Sequence, residues 1–393
     1  MSEQTGNQQL VKQINKSIVL NTIKNNAPIS RADIAQKTGL NKGTVSSLVN
    51  ELIEEHLIYE SGLGESSGGR RPIILLFNHQ AGFAIGIDLE VNYILGILTD
   101  LFGNIVMEIH EKLTMCEYDQ VLKVLKSIIQ KLIHATPDSP YEIIGMGIGV
   151  PGLVNNDGVI LTAPNLGWKN IRLKDEIEKT FHIPVYIENE ANAGAYGEKN
   201  FGSKKDYHNI LYISAGIGIG VGIVLNGELF TGSNGFSGEM GHSIIVADGK
   251  ECPCGSQGCW ELYASEHALL KKAKNANISG ITDENVSIEM LMNLAENGDE
   301  TVIQIFKEIA KYLGIGINNI VNIFNPDQII IGNRLAKAKK WLEQPIKDFV
   351  KKHSMVYHQR NLSINFSQLE IHSTALGMSA LTIESFLNKY VSN

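Results

Sequence analysis

Long hydrophobic runs are absent from this sequence of 393 residues. No apolar stretch reaches the roughly 18 residues that span a bilayer, and the N-terminus lacks the charged-then-apolar pattern of a secretory signal. Both absences lead us to expect a cytoplasmic protein. The length exceeds that of one ordinary domain and predicts two or three.

Cysteine is also scarce. The chain has four, and three of them, Cys252, Cys254 and Cys259, fall within one short segment. Such clustering in a chain without an export signal predicts metal ligation rather than a disulfide framework. We expect the fourth, Cys116, to be a small packing residue.

Positive charge is in short supply, since the formal net charge is −8. This argues weakly against nucleic acid as the main partner. The imbalance lies in the C-terminal part, because residues 1–80 contain nearly equal numbers of basic and acidic side chains. An acidic body can carry a small DNA-binding head if the few positive charges are well placed.

Three helices are predicted in the N-terminal segment. The first covers residues 14–24 and has apolar side chains that suit one face, at Ile14, Ile18, Val19 and Ile23. Ser30 and Asp33 have the spacing of a capping box that opens a second helix, and Asn41 can cap a third. Gly39 lies between the last two helices, which predicts a helix-turn-helix.

The third predicted helix has an apolar stripe at Val45, Leu48, Val49 and Leu52. In a helix-turn-helix the later helix enters the major groove and contacts base edges. We therefore expect DNA contacts from the polar face and its flanks, at Lys42, Thr44, Ser46, Ser47 and Asn50. The alternative is a three-helix bundle whose outer face is merely solvated.

A wing is predicted after these helices. Two apolar runs, residues 57–59 and 73–77, flank a segment rich in glycine and serine. That segment leads to Arg70 and Arg71, whose guanidinium groups would reach phosphates or the minor groove. Residues 1–80 are thus predicted to form a winged helix-turn-helix domain.

The remaining sequence predicts an α/β fold with two related lobes. Strands are expected at 84–89, 94–99, 104–109, 143–150 and 184–187, with helices at about 118–134 and 172–181. A similar order restarts at Asn209, with strands at 210–214 and 221–225 around a glycine-rich turn. Helices near 286–295 and 300–324, a strand at 328–331 and a helix after Thr374 complete the pattern.

Four stretches carry a resemblance to a known family. The segments Glu239–His242 and Cys252–Glu261 together resemble the signature of the ROK family of repressors, open reading frames and kinases. The wing tip, residues 66–72, and residues 187–198 are similar to those of its xylose-responsive repressors from low-GC Gram-positive bacteria. The resemblance covers the whole chain.

The resemblance implies an actin-like, ribonuclease H-like fold of the sugar-kinase type for residues 81–393. Lobe I would comprise about 81–205 and the C-terminal helix at about 375–393, and lobe II about 206–374. It also implies a set of sugar-binding residues, namely Asn165, Asn189, Glu190, Glu239, His242 and Glu261.

One histidine and three cysteines can complete a tetrahedral zinc site without an open position, which makes the predicted site structural. Its ligands would be His242, Cys252, Cys254 and Cys259. By the resemblance, one ring nitrogen of His242 ligates zinc and the other faces the sugar, so that the metal fixes the orientation of the ring.

Kinase chemistry is not expected, and no catalytic residues are assigned. Family kinases carry Asp-Leu-Gly-Gly-Thr where this chain has residues 88–92, so both glycines are lost and Glu90 would repel a phosphate. At the position of the family's general base, Glu190 is one methylene longer than aspartate.

The expected function is repression of xylose-utilisation genes. A homodimer would bind a palindromic operator and D-xylose would release it. Three alternatives stay open: a ROK sugar kinase, a ROK repressor that responds to another sugar or to a phosphotransferase protein, and an activator.

Overall fold

The computed structural model describes residues 8–63, 71–202, 207–276, 278–282 and 285–392. Its N-terminal head, residues 8–80 with the gap just given, combines three helices with a small antiparallel sheet in the order β1-β3-β2. The elements are α1 (Gln8–Asn26), β1 (Ile29–Ser30), α2 (Arg31–Thr38), α3 (Lys42–Glu54), β2 (Ile58–Leu63) and β3 (Ile73–Phe77).

The predicted helix signals of the head are confirmed. The Ser30 hydroxyl accepts a hydrogen bond from the Asp33 amide, and the Asp33 carboxylate accepts one from the Ser30 amide. Gly39 ends α2 in the left-handed conformation, with φ of 73°. Asn41 caps α3 by accepting from the Thr44 amide at 2.8 Å. The four apolar residues predicted for the α3 stripe are all buried.

The buried face of α1 differs from the prediction. Ile14 and Ile18 are 51% and 40% exposed, whereas Val19, Leu20 and Ile23 are buried. The sequence offers apolar residues on two adjacent faces of this helix, and packing against the rest of the head selects the one that contains Leu20. Leu10, Val11, Ile14 and Ile18 are left as an exposed apolar stripe.

A first five-stranded sheet follows the head, in the order β6-β5-β4-β7-β11. A small sheet, β8-β9-β10, lies next to it in sequence. The elements of this part are β4 (Phe83–Leu89), β5 (Tyr93–Asp100), β6 (Ile105–Lys112), α4 (Tyr118–His134), β7 (Ile143–Val150), β8 (Leu153–Val154), β9 (Ile160–Ala163), β10 (Trp168–Ile171), α5 (Leu173–Phe181), β11 (Val185–Asn189) and α6 (Glu190–Gly197).

A second five-stranded sheet repeats this order as β14-β13-β12-β15-β16. In both sheets three antiparallel strands are followed by two parallel ones. The elements are β12 (Ile210–Ala215), β13 (Ile219–Leu225), β14 (Glu228–Leu229), α7 (Glu261–Ala264), α8 (Glu266–Asn275), α9 (Ile288–Glu296), α10 (Glu300–Phe324), β15 (Gln328–Gly332), α11 (Lys339–His353), β16 (Ser363–Phe366) and α12 (Ser373–Ser392).

The repeated topology agrees with the prediction of two related α/β lobes. The sequence did not predict several elements, namely α6, α7, α8, α11, β8, β9, β10, β14 and β16. Proline within a run disfavours a helix, but Pro345 lies inside α11. Among the described helices, none combines the length and hydropathy that a membrane crossing requires.

The last helix, α12, packs directly on the first sheet. A Cβ atom at Gly86 would overlap the main-chain oxygen of Ala375, and one at Gly147 would collide with Met378. Glycine on β4 and β7 therefore lets the backbone of α12 approach the strands closely.

Candidate functional site

A compact group of metal-ligating side chains lies in the loop before α7. The donor atoms of His242, Cys252, Cys254 and Cys259 all lie within 4.8 Å of one another. Backbone bridges from Ile244 to Cys259 and from Glu251 to Gln257 close the loop, while Gly255 and Gly258 adopt positive φ angles within it. The sequence prediction that these four residues meet is confirmed.

The spacing of the donor atoms fits a tetrahedral metal ion. The sulfurs of Cys254 and Cys259 are 3.7 Å apart, and Cys252 Sγ lies 3.7 Å from His242 Nδ1. Metal–sulfur bonds of about 2.3 Å in a tetrahedron place two sulfurs about 3.8 Å apart. Burial raises the pKa of Cys252 to about 12. A bound cation would offset this cost of the thiolate.

His242 faces two ways. Its Nδ1 atom points toward Cys252, whereas Nε2 lies 3.9 Å from Glu239 Oε2. The imidazole is 39% exposed. One ring nitrogen is therefore directed at a metal ligand and the other at Glu239, which the family resemblance assigns to sugar binding.

Two carboxylates, Glu239 and Glu261, lie beside this histidine, and Glu190 lies close enough to Glu239 for their charges to interact. These three residues are called the carboxylate cluster below. Glu261 Oε1 lies 3.5 Å from His242 Nδ1. A Cβ at Gly220 of β13 would lie 3.3 Å from Glu190 Oε1, which places this side chain against the second sheet.

Burial raises the pKa values of two members of the cluster. The pKa of Glu190 is well above its usual value because of desolvation, and the charges of Glu90 and Glu239 add to the effect. Desolvation also raises the pKa of Glu239, although His242 opposes this. Carboxyl groups that donate as well as accept hydrogen bonds suit the hydroxyl groups of a sugar.

The two asparagines of the predicted sugar set are placed differently. The Asn189 oxygen caps α6 through the amides of Ala191 and Asn192, and its amide nitrogen donates to the Gly152 oxygen and to Glu190. Its side chain is thus fully engaged. Asn165 is exposed on a short turn, and no hydrogen bond among the described residues joins it to the carboxylate cluster.

Side chains from both sheets meet at the turn after β4, which the family resemblance relates to the phosphate loop of kinases. Glu90 Oε1 accepts a hydrogen bond of 3.1 Å from the Asn333 amide, which also donates to Ser214 at 3.0 Å. Beside it, Asp88 accepts from the Tyr93 hydroxyl at 2.8 Å. Desolvation raises the pKa values of both Asp88 and Glu90.

Asn333 was missed at the sequence level. Its backbone has φ of 60° and ψ of −159°, a conformation that favours glycine. The Asn333 oxygen accepts from the Arg334 amide and holds this turn. The only signal in the sequence was a lone asparagine directly after the glycine that ends a buried strand, Gly332.

The DNA-facing surface predicted on α3 is accessible. Lys42, Ser47 and Asn50 are exposed, and Thr44 and Ser46 are half-buried. Arg71 is exposed, whereas Arg70 lies outside the described residues.

Asn50 has a partner that the sequence did not reveal. Its side-chain oxygen accepts a hydrogen bond of 3.1 Å from Arg31, which also pairs with Glu60 at 2.9 Å. Arg31 therefore orients the predicted base-reading amide. Its place at the first position of α2 was visible in the sequence, but its contact with α3 was not.

Two family models match this chain. The family model "ROK family" matches residues 84–385, and "Winged helix-turn-helix DNA-binding" matches residues 14–59. The xylose repressor of Bacillus spizizenii is 45% identical over 383 residues, which cover 97% of this chain and 98% of that protein.

Two solved structures extend the comparison. A ROK-family transcriptional regulator, homologous to the Escherichia coli Mlc protein, has 30% identity and a TM-score of 0.83, with coverage of 97% of this chain and 98% of the other. A ROK-family glucokinase from Streptomyces griseus, solved with glucose and AMPPNP, has 28% identity and a TM-score of 0.70. That match covers 76% of this chain and 99% of the kinase.

Proposed function

The chain belongs to the ROK family, and from this premise we propose that it is a sugar-responsive transcriptional repressor. One observation carries the proposal. A winged helix-turn-helix is joined to a ROK domain in which Glu90, a residue of the segment that would bind phosphate in a kinase, is hydrogen-bonded to Asn333.

The proposed inducer is D-xylose. Similarity to the B. spizizenii xylose repressor over 97% of the chain supports this choice. The sugar-free protein would bind operator DNA upstream of xylose-utilisation genes, and the sugar would bind better to the state with low DNA affinity. Such a difference in affinity is what allows a ligand to shift the equilibrium.

The proposed sugar site lies between the lobes, with one wall formed by the carboxylate cluster and His242. The proximity of Glu239 and Glu261 to His242, and of Glu190 to Glu239, supports this assignment, because sugar hydroxyls require several convergent acceptors and donors. Asn165 and Asn189 are proposed as further contacts. Asn189 would exchange one of its present bonds for a sugar hydroxyl.

Zinc is the proposed metal, held by His242, Cys252, Cys254 and Cys259. Three sulfurs and one imidazole nitrogen at this spacing suit it. The ion would supply structural cross-linking of the loop. His242, fixed through Nδ1, would then present Nε2 to the sugar in one orientation.

The proposed assembly is a homodimer in the cytoplasm, where its operator would be. Two heads related by two-fold symmetry match a palindromic site. The exposed apolar stripe on α1, Leu10, Val11, Ile14 and Ile18, supports association of two copies.

We propose that the protein is not an enzyme. The negative charge of Glu90 and its bond to Asn333 oppose binding of a nucleotide phosphate at this position. The second candidate is a sugar kinase, which the similarity to the S. griseus glucokinase and the surviving carboxyl of Glu190 favour. Release of ADP in the presence of D-xylose or glucose and MgATP would establish the kinase.

The decisive experiment for the repressor is a gel shift with sugars titrated separately. The DNA is the palindromic duplex that the protein selects from a random pool. D-Xylose should release the DNA and glucose should not. Release of the DNA by another sugar would identify that sugar as the inducer in place of D-xylose. Retention of the DNA in the presence of every sugar would favour control by a phosphotransferase protein. Loss of target transcripts on deletion of the gene would indicate an activator.

A further inference from the structure

Helix α12 touches the proposed sugar site at its first turn. The Thr374 hydroxyl donates a hydrogen bond of 3.2 Å to the main-chain oxygen of Glu190. Glu190 is the first residue of α6 and a member of the carboxylate cluster. A shift of Glu190 on sugar binding would therefore reach α12 directly.

Helices α6 and α12 are in main-chain contact. A Cβ at Gly377 would overlap the oxygen of Ala193, and a Cβ at Gly197 would overlap the oxygen of Ser373. Further along, the Tyr196 hydroxyl donates to Glu384. Two helices packed at this distance leave no room for one to move while the other stays in place.

The other end of α12 belongs to the core of the head. Ile383, Phe386 and Leu387 pack in one apolar cluster with residues from all three helices of the head, including Ile23 and Leu52. Burial lowers the pKa of Lys24 of α1, and the charge of Glu384 on α12 opposes this shift. The head therefore rests on the last turns of α12.

Tyr141 joins this end of α12 to the recognition helix α3. The residue lies just before β7, and its amide donates to the Ala81 oxygen at 2.9 Å. Its ring meets Phe386 edge-on, with a centroid distance of 5.1 Å and an angle of 73°. Its hydroxyl donates a bond of 2.7 Å to the main-chain oxygen of Glu55, the residue that ends α3. The last carbonyl groups of a helix lack partners within it, so this bond fixes the end of α3 from outside the head.

We propose that α12 transmits the structural effect of sugar binding from Glu190 to Phe386. Tyr141 is the positioning residue through which this effect reaches α3. This inference rests on the proposed function. In the sugar-free protein the Tyr141–Glu55 bond holds α3 in the orientation that binds DNA. In the sugar-bound protein α12 moves with α6, Phe386 displaces the Tyr141 ring, and the bond is lost.

The test uses the full chain and Tyr141→Phe, which keeps the ring and removes the donor. Fluorescence anisotropy measures affinity for the selected duplex without sugar and at saturating D-xylose, and calorimetry measures xylose affinity without DNA. We expect sugar-free DNA affinity to fall about fivefold, the effect of one hydrogen bond. DNA affinity at saturating xylose should stay the same. The release factor, which is the ratio of DNA affinity without sugar to DNA affinity at saturating xylose, therefore becomes smaller. Xylose affinity should not weaken, whereas a general loss of folding would weaken all three.

Tyr186→Phe is the matched control. The Tyr186 hydroxyl bonds to Ser385 of α12 at 2.6 Å, and Tyr186 lies on β11, which is not part of the head. Its loss should leave the release factor within about twofold of the wild type, a difference smaller than one hydrogen bond.

The effect of xylose on DNA binding by the wild-type protein distinguishes failure of the proposed function from failure of the role proposed for Tyr141. If xylose does not weaken DNA binding by the wild-type protein, the proposed function fails and this proposal fails with it. If the wild type responds but Tyr141→Phe keeps the full release factor, or Tyr186→Phe reduces it equally, only the present proposal is overturned. Should Tyr141→Phe not fold, Phe386→Leu breaks the same link, and a full release factor in that variant overturns the proposal.

Discussion

The Glu90 carboxylate accepts a hydrogen bond from Asn333, a residue 243 positions away in the sequence. The bond joins the turn after β4 in the first sheet to the turn after β15 in the second. The two sheets are thus connected by a direct hydrogen bond between protein side chains.

Replacing Glu90 tests whether its negative charge opposes binding of a nucleotide phosphate. Glu90→Gln removes the negative charge, so affinity for the ATP analogue AMPPNP should rise by about fivefold or more while no turnover appears. Calorimetry with AMPPNP and an ADP-release assay measure the two effects. Glu228→Gln, an exposed position on β14, is the control. Equal AMPPNP affinity in wild type and Glu90→Gln would contradict the proposed role of the charge.

The buried carboxyl group of Asp88 gives a prediction for how the stability of the protein depends on pH. Asp88 is 2% exposed, and desolvation raises its pKa well above the usual 3.8. Above pH 4 the unfolded chain therefore releases this proton while the folded protein keeps it, so stability falls as pH rises toward the folded pKa. The loss is about 1.4 kcal/mol per pH unit for each such group.

Asp88→Asn removes this group from the titration. Its thermal unfolding midpoint should fall less steeply than that of the wild type between pH 5 and 8, as measured by scanning calorimetry. Asp157→Asn, at an exposed position, should follow the wild type. Parallel curves for wild type and Asp88→Asn would show that Asp88 is ionised in the folded protein.

The metal loop gives a third prediction. Cys259→Ser should lower bound zinc to a small fraction of the wild-type content and weaken xylose binding about 10- to 100-fold, because His242 loses its fixed orientation. Plasma emission spectroscopy and calorimetry measure these changes. Cys116→Ser, outside the loop, should change neither. Unaltered xylose affinity in a zinc-free protein would separate the metal from sugar recognition.

Base reading and backbone contact can be distinguished on the DNA side. Asn50→Ala should cost about 1–3 kcal/mol on the selected duplex and little on random DNA. Arg71→Ala should weaken binding to both duplexes and lower the salt dependence by about one ion. Anisotropy at several salt concentrations measures both variants. An equal loss of affinity for both duplexes in Asn50→Ala would indicate that Asn50 contacts the DNA backbone and not the bases.

Glu190 gives a prediction on sugar choice. Xylose lacks the C6 hydroxymethyl group of glucose, and we expect the longer side chain of Glu190 to occupy part of that volume. Glu190→Asp should therefore bind glucose more tightly and xylose more weakly, by about 1 kcal/mol each. Calorimetry with both sugars measures the change, and unchanged affinities for both would refute the idea.

Local signals in the sequence were sufficient for most individual elements. Ser30 with Asp33 and Asn41 with Thr44 act within a few residues, so their caps were predictable from spacing. The metal group was predictable because His242 and the three cysteines lie in one short loop.

Contacts between distant segments were not predictable from one sequence. Nothing near Glu90 indicates that Asn333 will meet it, and nothing near Tyr141 indicates a bond to Glu55. The exposed side of α1 was misassigned for the same reason, since Ile14 and Leu20 are equally apolar and only the packing partner selects between them. Such choices depend on tertiary structure, which periodicity does not contain.

The position of α12 has a consequence for synthesis of the protein. The head leaves the ribosome early, but the apolar side chains of Ile383, Phe386 and Leu387 that complete its core are translated near the end. A nascent or prematurely terminated chain thus carries a DNA-binding surface without the support that orients it. Operator occupancy would then be reserved for chains whose sugar-sensing part has already been made.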